Sequence, residues 1–356
     1  MFVKFAIALV VLCCVGLFTP VGCGEPDRKR FRRVVDAAFV ALDSRQGAGL
    51  LNLGNTCFMN SVLQAIFGVS DLLQFLKAAK STPLTNAFLE LCKQLAESKT
   101  SVDPSMFRNA FVEQFSFFNS NDQQDAFEFA SILLDALHEE TKTVAPSSIA
   151  SFKLTSLSAG ELQRKANAAR GHSLVADSFQ GTLLIETTGA CGCVSGKFEP
   201  FVGLAVPVVT DKGELITNLA DAISEFERPQ LLTGADRWEC GACSNRVNAK
   251  TRTGIFRVAD VLMINLKRFR YTPTRGLEKL THMVDYPMTL EIADKHFRLC
   301  AVVLHSGTAT FGHYIALVAK QNGPWRSFND RVVTDTANVL SKDAYILFYK
   351  RNKCSS

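Results

Sequence analysis

The residues with the clearest chemical potential in this chain surround one cysteine, Cys57. It follows the glycine- and amide-rich stretch at 49–56, and the two residues just before it, Asn55 and Thr56, are types that favour a helix N-cap. Apolar residues then recur at the three-and-four spacing of a helix that buries one face. They are Met59, Val62, Leu63, Ile66 and Phe67. A thiol at a helix start lies at the positive end of the dipole, which favours the reactive thiolate, although a buried structural cysteine would show the same pattern.

A thiolate nucleophile needs a base, and His313 is the best placed of the six histidines. An alternating apolar stretch follows it, which predicts a strand with the histidine at its start. A Gly-Pro turn then leads to a second short strand at 325–328, which ends in Asn329 and Asp330. A hairpin of the two strands would bring that amide and carboxylate beside the imidazole. The pattern favours a cysteine hydrolase, and His305 is interpreted as structural.

Six sequence elements, taken in order, closely resemble those of the ubiquitin-specific proteases, which are papain-like deubiquitinating cysteine proteases. They are the cysteine box at 49–64, QQDAFEF at 123–129, FQGTL at 179–183, Cys-x-x-Cys at 240–243, MINLKRF at 263–269 and a histidine box at 305–349. The resemblance implies an α+β, papain-like cysteine protease fold with a helical thumb, a β-rich palm and β-ribbon fingers. Helical patterns up to about residue 140 and strand patterns after 179 agree with this division.

One catalytic unit is expected at 49–351, behind a hydrophobic segment at 1–24 and a basic linker at 25–48. The 47% apolar content is sufficient for a sizeable core. Residues 122–140 are predicted to form a helix capped by Asp122. Residues 141–173 have the weakest pattern, and they are interpreted as a mobile insertion or as a segment with one short surface helix near 160–169.

The resemblance implies a role for each residue of the two boxes. Cys57 would attack the carbonyl of the C-terminal glycine of ubiquitin, and His313 would take the thiol proton and later serve the leaving amine. Asn329 would orient the imidazole, with Asp330 as a neighbouring helper. Asn52 would donate a hydrogen bond to the oxyanion, although without the resemblance it would be interpreted as a turn asparagine.

The implied substrate is the extended tail of ubiquitin, whose arginines precede a Gly-Gly end, so its channel should offer carboxylates. Asp125 occupies the position that pairs with a tail arginine, with Gln123 and Glu128 beside it. Tyr314, next to the catalytic histidine, is a further predicted substrate contact. Ordinary helix-start charge is the alternative for the two acidic residues. The family often has glutamine where this chain has Phe127, which puts one hydrogen bond to the tail in doubt.

Four cysteines are candidate ligands of a structural zinc ion: Cys191, Cys193, Cys240 and Cys243. The last two have the spacing of a zinc knuckle. Aligned with the family pattern, the first ligand of the other pair falls on Thr188, so Cys193 would substitute for it. The cluster either binds zinc or is vestigial, and no cofactor is expected for catalysis.

The uncharged segment at 5–21 sets the predicted location, because it is just long enough to span a membrane. The small residues at 22–24 also resemble a signal-peptidase site, which would send the chain to an oxidising lumen. Ubiquitin and a thiol nucleophile suit a reducing compartment, and the cations at 28–33 favour a retained anchor whose catalytic part faces the cytosol. The mitochondrial outer membrane and the endoplasmic reticulum are both candidates, and 31–42 would form a spacer helix at the membrane surface.

The formal net charge of +5 does not indicate a nucleic-acid partner, because the block at 28–33 accounts for it. The expected partners are ubiquitin and ubiquitinated proteins, and the enzyme is expected to be a monomer. Two other classes remain open. A catalytically silent ubiquitin-binding scaffold would lack a catalytic residue, and a lumenal papain-type peptidase would need a different cysteine box and disulfide-ready cysteines.

Overall fold

The computed structural model describes residues 47–69, 82–143, 151–274, 276–320 and 323–352. Its first half is mainly helical and its second half is mainly β, as the sequence patterns predict. The helices are α1 Cys57–Val69, α2 Pro83–Glu97, α3 Ser105–Gln114, α4 Ala126–Thr141, α5 Ala159–Arg170, α6 Leu174–Phe179 and α7 Leu219–Phe226. Short 3₁₀ turns occur at Ser116–Asn119, Leu154–Ser156 and Gly234–Asp236.

The strands of the described chain divide between a large sheet, a smaller sheet and two ribbons. The first group is β1 Phe152–Lys153, β2 Gly181–Gly189, β3 Val194–Phe201, β4 Leu204–Pro207, β5 Gln230–Leu232, β6 Trp238–Cys240, β7 Asn245–Val247 and β8 Ala249–Arg257. The second group is β9 Val261–Lys267, β10 Phe269–Thr272, β11 Gly276–Lys279, β12 Thr289–Ile292, β13 Lys295–Gly307, β14 Gly312–Val318, β15 Trp325–Asn329, β16 Val332–Thr336 and β17 Ala344–Arg351.

Helices α1 to α4 form the thumb around a cluster of phenylalanine rings. Phe58 of α1 and Phe111 of α3 both pack against Phe129 of α4, with ring centroids 5.5 and 5.0 Å apart. Each ring is buried, and burial of such a side chain contributes about 2 to 3 kcal/mol. Since Phe58 follows Cys57 directly, this packing fixes the start of α1.

Helix α4 starts later than predicted. Its N-cap is Asp125, whose Oδ1 accepts hydrogen bonds from the backbone amides of Phe127 at 2.7 Å and Glu128 at 2.9 Å. The predicted cap, Asp122, lies in the preceding turn, and that assignment is wrong because the nearer aspartate bonds the free amides. The predicted buried face of this helix is confirmed, and it consists of Ala126, Phe129, Leu133 and Leu137.

The palm is a mixed sheet in the order β16-β15-β14-β13-β17-β9-β4, with β12 paired to β13. All its pairs are antiparallel except β4 with β9. One face packs on the thumb through α1, and the other face has its own core with α7. The central strands are therefore covered on both faces, which explains their nearly continuous apolar sequence.

The fingers are an antiparallel sheet in the order β1-β3-β2-β8-β5, and the β6-β7 ribbon carries Cys240. Helix α5 packs on β3 through Ala166 and Phe198. The short helix predicted near 160–169 is thus confirmed as α5. It begins there because Ser158 and Glu161 form a reciprocal capping box.

The predicted location of the protein is corrected. Within the described ranges, no helix is both long and apolar enough to cross a membrane. The hydrophobic segment at 5–21 and the spacer helix at 31–42 fall outside those ranges. The prediction of a membrane-anchored enzyme that faces the cytosol is therefore wrong and is withdrawn.

Candidate active site

Cys57 is the first residue of α1 and is 4% exposed. Burial raises the pKa of its thiol, and the negative charge of Asp330 raises it further. The backbone amides of Tyr314, Phe58 and Cys57 itself act in the opposite direction. The helix start therefore does favour the thiolate as predicted, but burial outweighs it. A base is therefore needed to take the thiol proton.

His313 is the second residue of β14, the strand against which α1 packs. Its Nε2 lies 2.7 Å from Oδ1 of Asn329, at the end of β15. An amide oxygen accepts, so Nε2 carries the hydrogen and Nδ1 is left unprotonated in the neutral ring. Tyr314, next along the chain, presents its backbone amide to the Cys57 thiol. The two boxes thus meet where the hairpin predicts, with a free imidazole nitrogen as the available base.

Asp330 bonds to the cysteine box, and the described contacts include no hydrogen bond between it and His313. Its Oδ2 accepts from Nδ2 of Asn52 at 2.9 Å, and its Oδ1 accepts from Nδ2 of Asn60 at 2.8 Å. Its backbone carbonyl accepts from the amide of Leu50 at 2.9 Å. Both carboxylate oxygens are directed at asparagine side chains, and the role of Asp330 as a helper that orients the imidazole stays a prediction.

Asn52 is held at both ends of its amide. Its Oδ1 accepts from the backbone amides of Gly54 at 3.0 Å and Thr56 at 3.2 Å, while Nδ2 donates to Asp330. An amide nitrogen carries two hydrogens, so one remains for another acceptor. The turn-asparagine and oxyanion-donor interpretations are thus compatible, since the turn uses the oxygen and leaves the nitrogen.

The sequence analysis missed Asn60, which is 2% exposed and lies one turn after Cys57. Its Nδ2 also donates to the carbonyl of Leu51 at 3.2 Å, so it ties the cysteine box to the helix. The sequence signal for Asn60 is its position, three residues after Cys57 on the same face of the helix, where an amide side chain stands among apolar residues. Gln64 is a similar case, donating to the carbonyl of Ala48 at 2.8 Å.

Gln123 makes a two-way pair with the backbone of Gly312, the residue before His313. Its Oε1 accepts from the Gly312 amide at 2.6 Å, and its Nε2 donates to the Gly312 carbonyl at 2.9 Å. A Cβ at Gly312 would lie 2.0 Å from Nε2 of His305, so only glycine fits. Gln123 therefore fastens the histidine strand to the thumb. Its predicted contact with substrate stays a prediction.

The other predicted substrate residues differ in how free they are. Asp125 caps α4 with Oδ1 and accepts from the Tyr345 hydroxyl with Oδ2. Tyr314 is 5% exposed, and its hydroxyl oxygen faces the amide of Ala126. Glu128 is exposed, and its carboxylate has no recorded ion pair with the described part of the chain. Of these three side chains, Glu128 is the one that a basic substrate can reach without breaking an internal contact.

Two nearby aromatic environments complete the site. The ring of Phe127 packs against Gly203, where an added Cβ would come within 2.5 Å of the ring. Phe127 therefore fills space, and it lacks the side-chain amide that is common at this position in the family.

His305 is 4% exposed among aromatic rings, with the Tyr314 ring centroid 4.5 Å away. Burial lowers its pKa to about 4, with Lys279 and His313 adding to the effect and Asp343 opposing it. His305 is neutral and structural, as predicted.

The fingertip cysteines converge. The sulfur atoms of Cys191, Cys193 and Cys240 all lie within 4.8 Å of one another, and Sγ of Cys191 is 3.8 Å from Sγ of Cys240. Cys243 contacts the same group. A zinc ion with Zn–S bonds of about 2.3 Å and tetrahedral angles places its sulfurs about 3.8 Å apart, so these thiols fit that ion. Cys193 belongs to the group, so its thiol is placed to substitute for the ligand that the family pattern would put at Thr188.

A cysteine at a helix start, packed against the β-hairpin that carries a histidine bonded to an asparagine, is the arrangement of a papain-like cysteine hydrolase. The family model described as ubiquitin carboxyl-terminal hydrolase matches residues 48–349. The chain belongs to this family, in its ubiquitin-specific protease branch.

Relatives and solved structures agree with this assignment. Ubiquitin carboxyl-terminal hydrolase 2 is 32% identical in Rattus norvegicus, 33% in Homo sapiens and 34% in Gallus gallus, over 86% of this chain in each case. The alignments cover 54%, 56% and 94% of those proteins, so the chain spans about half the length of the first two relatives. The SAGA DUB module Ubp8/Sgf11/Sus1/Sgf73 bound to monoubiquitin matches with a TM-score of 0.71 at 21% identity, over 91% of this chain and 75% of that one. This structural likeness supports the fold.

Proposed function

We propose that the chain is a thiol-dependent ubiquitin hydrolase, which cleaves the isopeptide or peptide bond at the C-terminal glycine of ubiquitin. The observation that carries the proposal is the convergence of Cys57, His313 and Asn329 in a chain of this family. The proposed catalytic unit spans 49–351. Relatives are named for the same activity, and solved neighbours contain monoubiquitin or ubiquitin aldehyde.

The first half-reaction forms an acyl-enzyme. Nδ1 of His313 takes the proton from Sγ of Cys57, while Asn329 holds the opposite ring nitrogen. The thiolate then attacks the carbonyl carbon of the terminal glycine, and the carbonyl oxygen becomes an oxyanion. The tetrahedral intermediate collapses as the bond to the substrate nitrogen breaks, and the imidazolium returns the proton to the leaving amine.

The second half-reaction releases ubiquitin. His313 takes a proton from water, whose oxygen attacks the thioester carbon, and the expelled Cys57 thiolate is reprotonated by the imidazolium. The free Nδ2 hydrogen of Asn52 is the proposed donor to the oxyanion in both halves, and Asp330 aims it. Because burial raises the pKa of the thiol, the histidine must take the thiol proton before the sulfur attacks.

Substrate choice in this proposal depends on the arginines of the ubiquitin tail. The exposed Glu128 is the proposed partner of one of them. Pairing with Asp125 stays a prediction, because that carboxylate already bonds the α4 amides and the Tyr345 hydroxyl. An approaching arginine would have to share it.

We also propose that the fingertip thiols hold one structural zinc ion: those of Cys191, Cys193, Cys240 and Cys243. Such an ion closes a short ribbon that has little core of its own, and it supplies no catalytic chemistry. Protein purified without added metal should contain close to one zinc per chain, measured by mass spectrometry. Cys193→Ser should lower that content, whereas Cys92→Ser, at a buried thiol of the thumb, should not.

The activity is tested with ubiquitin carrying a fluorogenic C-terminal amide. Cys57→Ala and His313→Ala should each lower turnover by several orders of magnitude, because each removes a member of the catalytic group. Ubiquitin binding should persist in Cys57→Ala, since the change removes one sulfur from the core. Turnover above about a hundredth of wild type in Cys57→Ala would overturn the nucleophile assignment. An inactive but ubiquitin-binding wild-type chain would favour a silent scaffold.

A further inference from the structure

A cavity of about 370 Å³ lies where the first described residues pass the β15-β16 hairpin, and the proposed reaction does not use it. Gly47, Gly49 and Arg331 are among the residues that line it. Arg331 directly follows Asp330, so the cavity adjoins the turn that carries the carboxylate for Asn52.

The charged lining of this cavity is strongly unbalanced. Among the residues that the structure describes, the lining contains the cations of Lys99, Lys320, Arg326 and Arg331 and one carboxylate, that of Asp335. Nζ of Lys320 lies 2.9 Å from that carboxylate, and Nε of Arg326 lies 3.6 Å from it. Asp335 thus contacts both of these cations. Lys99 and Arg331 have no recorded carboxylate partner among the described residues, so the lining keeps an excess of positive charge.

Two of the cations are drawn inward and are poorly screened by water. The side chain of Arg326 is 12% exposed and that of Lys320 is 19% exposed. Charges in this position interact more strongly with a bound ion than cations on an open surface do. Lys99 and Arg331 are exposed, so an anion from solvent can reach their cationic groups.

The uncharged lining suits a small polar ligand. Gly47 and Gly49 leave the floor without side chains, and a Cβ on Gly47 would come within 3.2 Å of Nη1 of Arg326. Thr100, Ser101 and Thr334, which carry hydroxyl groups, are also among the lining residues. Guanidinium forks, ammonium groups and hydroxyls together are the donors that phosphate oxygens accept from.

We propose that this cavity binds a phosphate-class anion, and that its size favours a small molecule with two linked phosphate groups over a single phosphate. The inference goes beyond the proposed function, because the site needs neither ubiquitin nor the thiol. Bound here, the anion neutralises the positive charge next to Asp330 and bridges residues 47–49 and the β15-β16 hairpin.

The test is isothermal titration of the full chain with inorganic pyrophosphate in buffer of low ionic strength. Lys99→Gln and Arg331→Gln should each weaken binding about twofold to fivefold, since one cation to an exposed anion contributes up to about 1 kcal/mol, which is about fivefold in affinity. The matched control is Lys212→Gln, an exposed lysine on a distant turn, which should bind as wild type does. Raising the salt concentration should weaken wild-type binding.

Three results would overturn the proposal. The first is an absence of binding by the wild-type chain. The second is equal loss of affinity in the Lys212→Gln control and in the two cavity variants. The third is equal binding of citrate, a carboxylate of similar charge, which would show a positive patch without phosphate preference. None of these results depends on hydrolysis of ubiquitin, so failure here is separate from failure of the proposed function.

Discussion

The position of Asp330 leads to a prediction that separates it from Asn329, although the two residues are adjacent. Asp330→Asn keeps the shape of the side chain and is tolerated at a φ of 49°, where asparagine is among the residues least strained. It replaces one carboxylate oxygen by an NH₂ group. That group then faces the NH₂ of Asn52 or Asn60, so one of the two hydrogen bonds is lost.

The expected loss of activity follows from the role of the hydrogen bond between Asp330 and Asn52, which holds the proposed oxyanion donor in place. A hydrogen bond to a charged acceptor contributes about 1.5 to 3 kcal/mol, which corresponds to about 10- to 100-fold in rate if all of it serves catalysis. The upper limit is set by loss of the oxyanion donor itself, which costs about 10²- to 10³-fold. We therefore expect kcat/KM of Asp330→Asn to fall about 10- to 100-fold, less than in Asn52→Ala.

The assay is a double-mutant cycle on cleavage of a ubiquitin C-terminal amide. Because Asp330 acts through Asn52, adding Asp330→Asn to Asn52→Ala should cost no more than about threefold further. Adding it to Asn329→Ala should multiply the two losses, since Asn329 acts on the imidazole. The pH dependence of Cys57 alkylation gives a second readout. Loss of the negative charge should lower the pKa of the thiol, so alkylation should begin at lower pH.

Two results would refute this reasoning. Full multiplication of the losses in the variant that combines Asn52→Ala and Asp330→Asn would show that Asp330 does not act through Asn52. A raised thiol pKa in Asp330→Asn would show that its charge supports the imidazolium, as the sequence alone suggests.

Three further predictions follow from the contacts around the site. Gln123→Ala should lower kcat more than it raises KM, because it removes the hydrogen bonds that hold the strand of His313. The matched control Gln124→Ala should have little effect. A change confined to KM in Gln123→Ala would indicate a substrate contact instead. Glu128→Ala should raise KM for ubiquitin substrates and spare a short uncharged Gly-Gly ester; equal effects on both would exclude contact with a tail arginine. Burial lowers the pKa of His305 to about 4 in the folded state, whereas its pKa in the unfolded chain is about 6.5. The unfolded state therefore binds more protons, and the free energy of unfolding that is present above pH 6.5 falls as pH falls, by about 2 kcal/mol at pH 5. Urea unfolding should show a smaller loss between pH 7 and pH 5 in His305→Gln, and an unchanged loss would contradict the buried neutral state.

Much of the site was predictable because its signals are local. The helix start at Cys57 follows from N-cap types and apolar spacing, and the hairpin follows from two alternating strands around a Gly-Pro turn. A hairpin necessarily returns Asn329 towards His313, so that contact was accessible without coordinates.

The remaining features depend on contacts between distant segments. Whether Asp330 turns to the imidazole or to Asn52 depends on how closely the cysteine box approaches, and no local pattern records that distance. The raised pKa of Cys57 likewise results from burial by the palm, which the dipole argument at the helix start could not include. The capping role of Asp125 was missed because several polar residues precede α4, and only the folded chain shows which one bonds the free amides.

The most direct test of the central claim is reaction of the purified chain with ubiquitin that carries a C-terminal electrophile, followed by mass spectrometry of the digested adduct. The account predicts one ubiquitin per chain, attached to Sγ of Cys57, and no adduct in Cys57→Ala. Attachment to any other cysteine, or no adduct with a correctly folded chain, would contradict it.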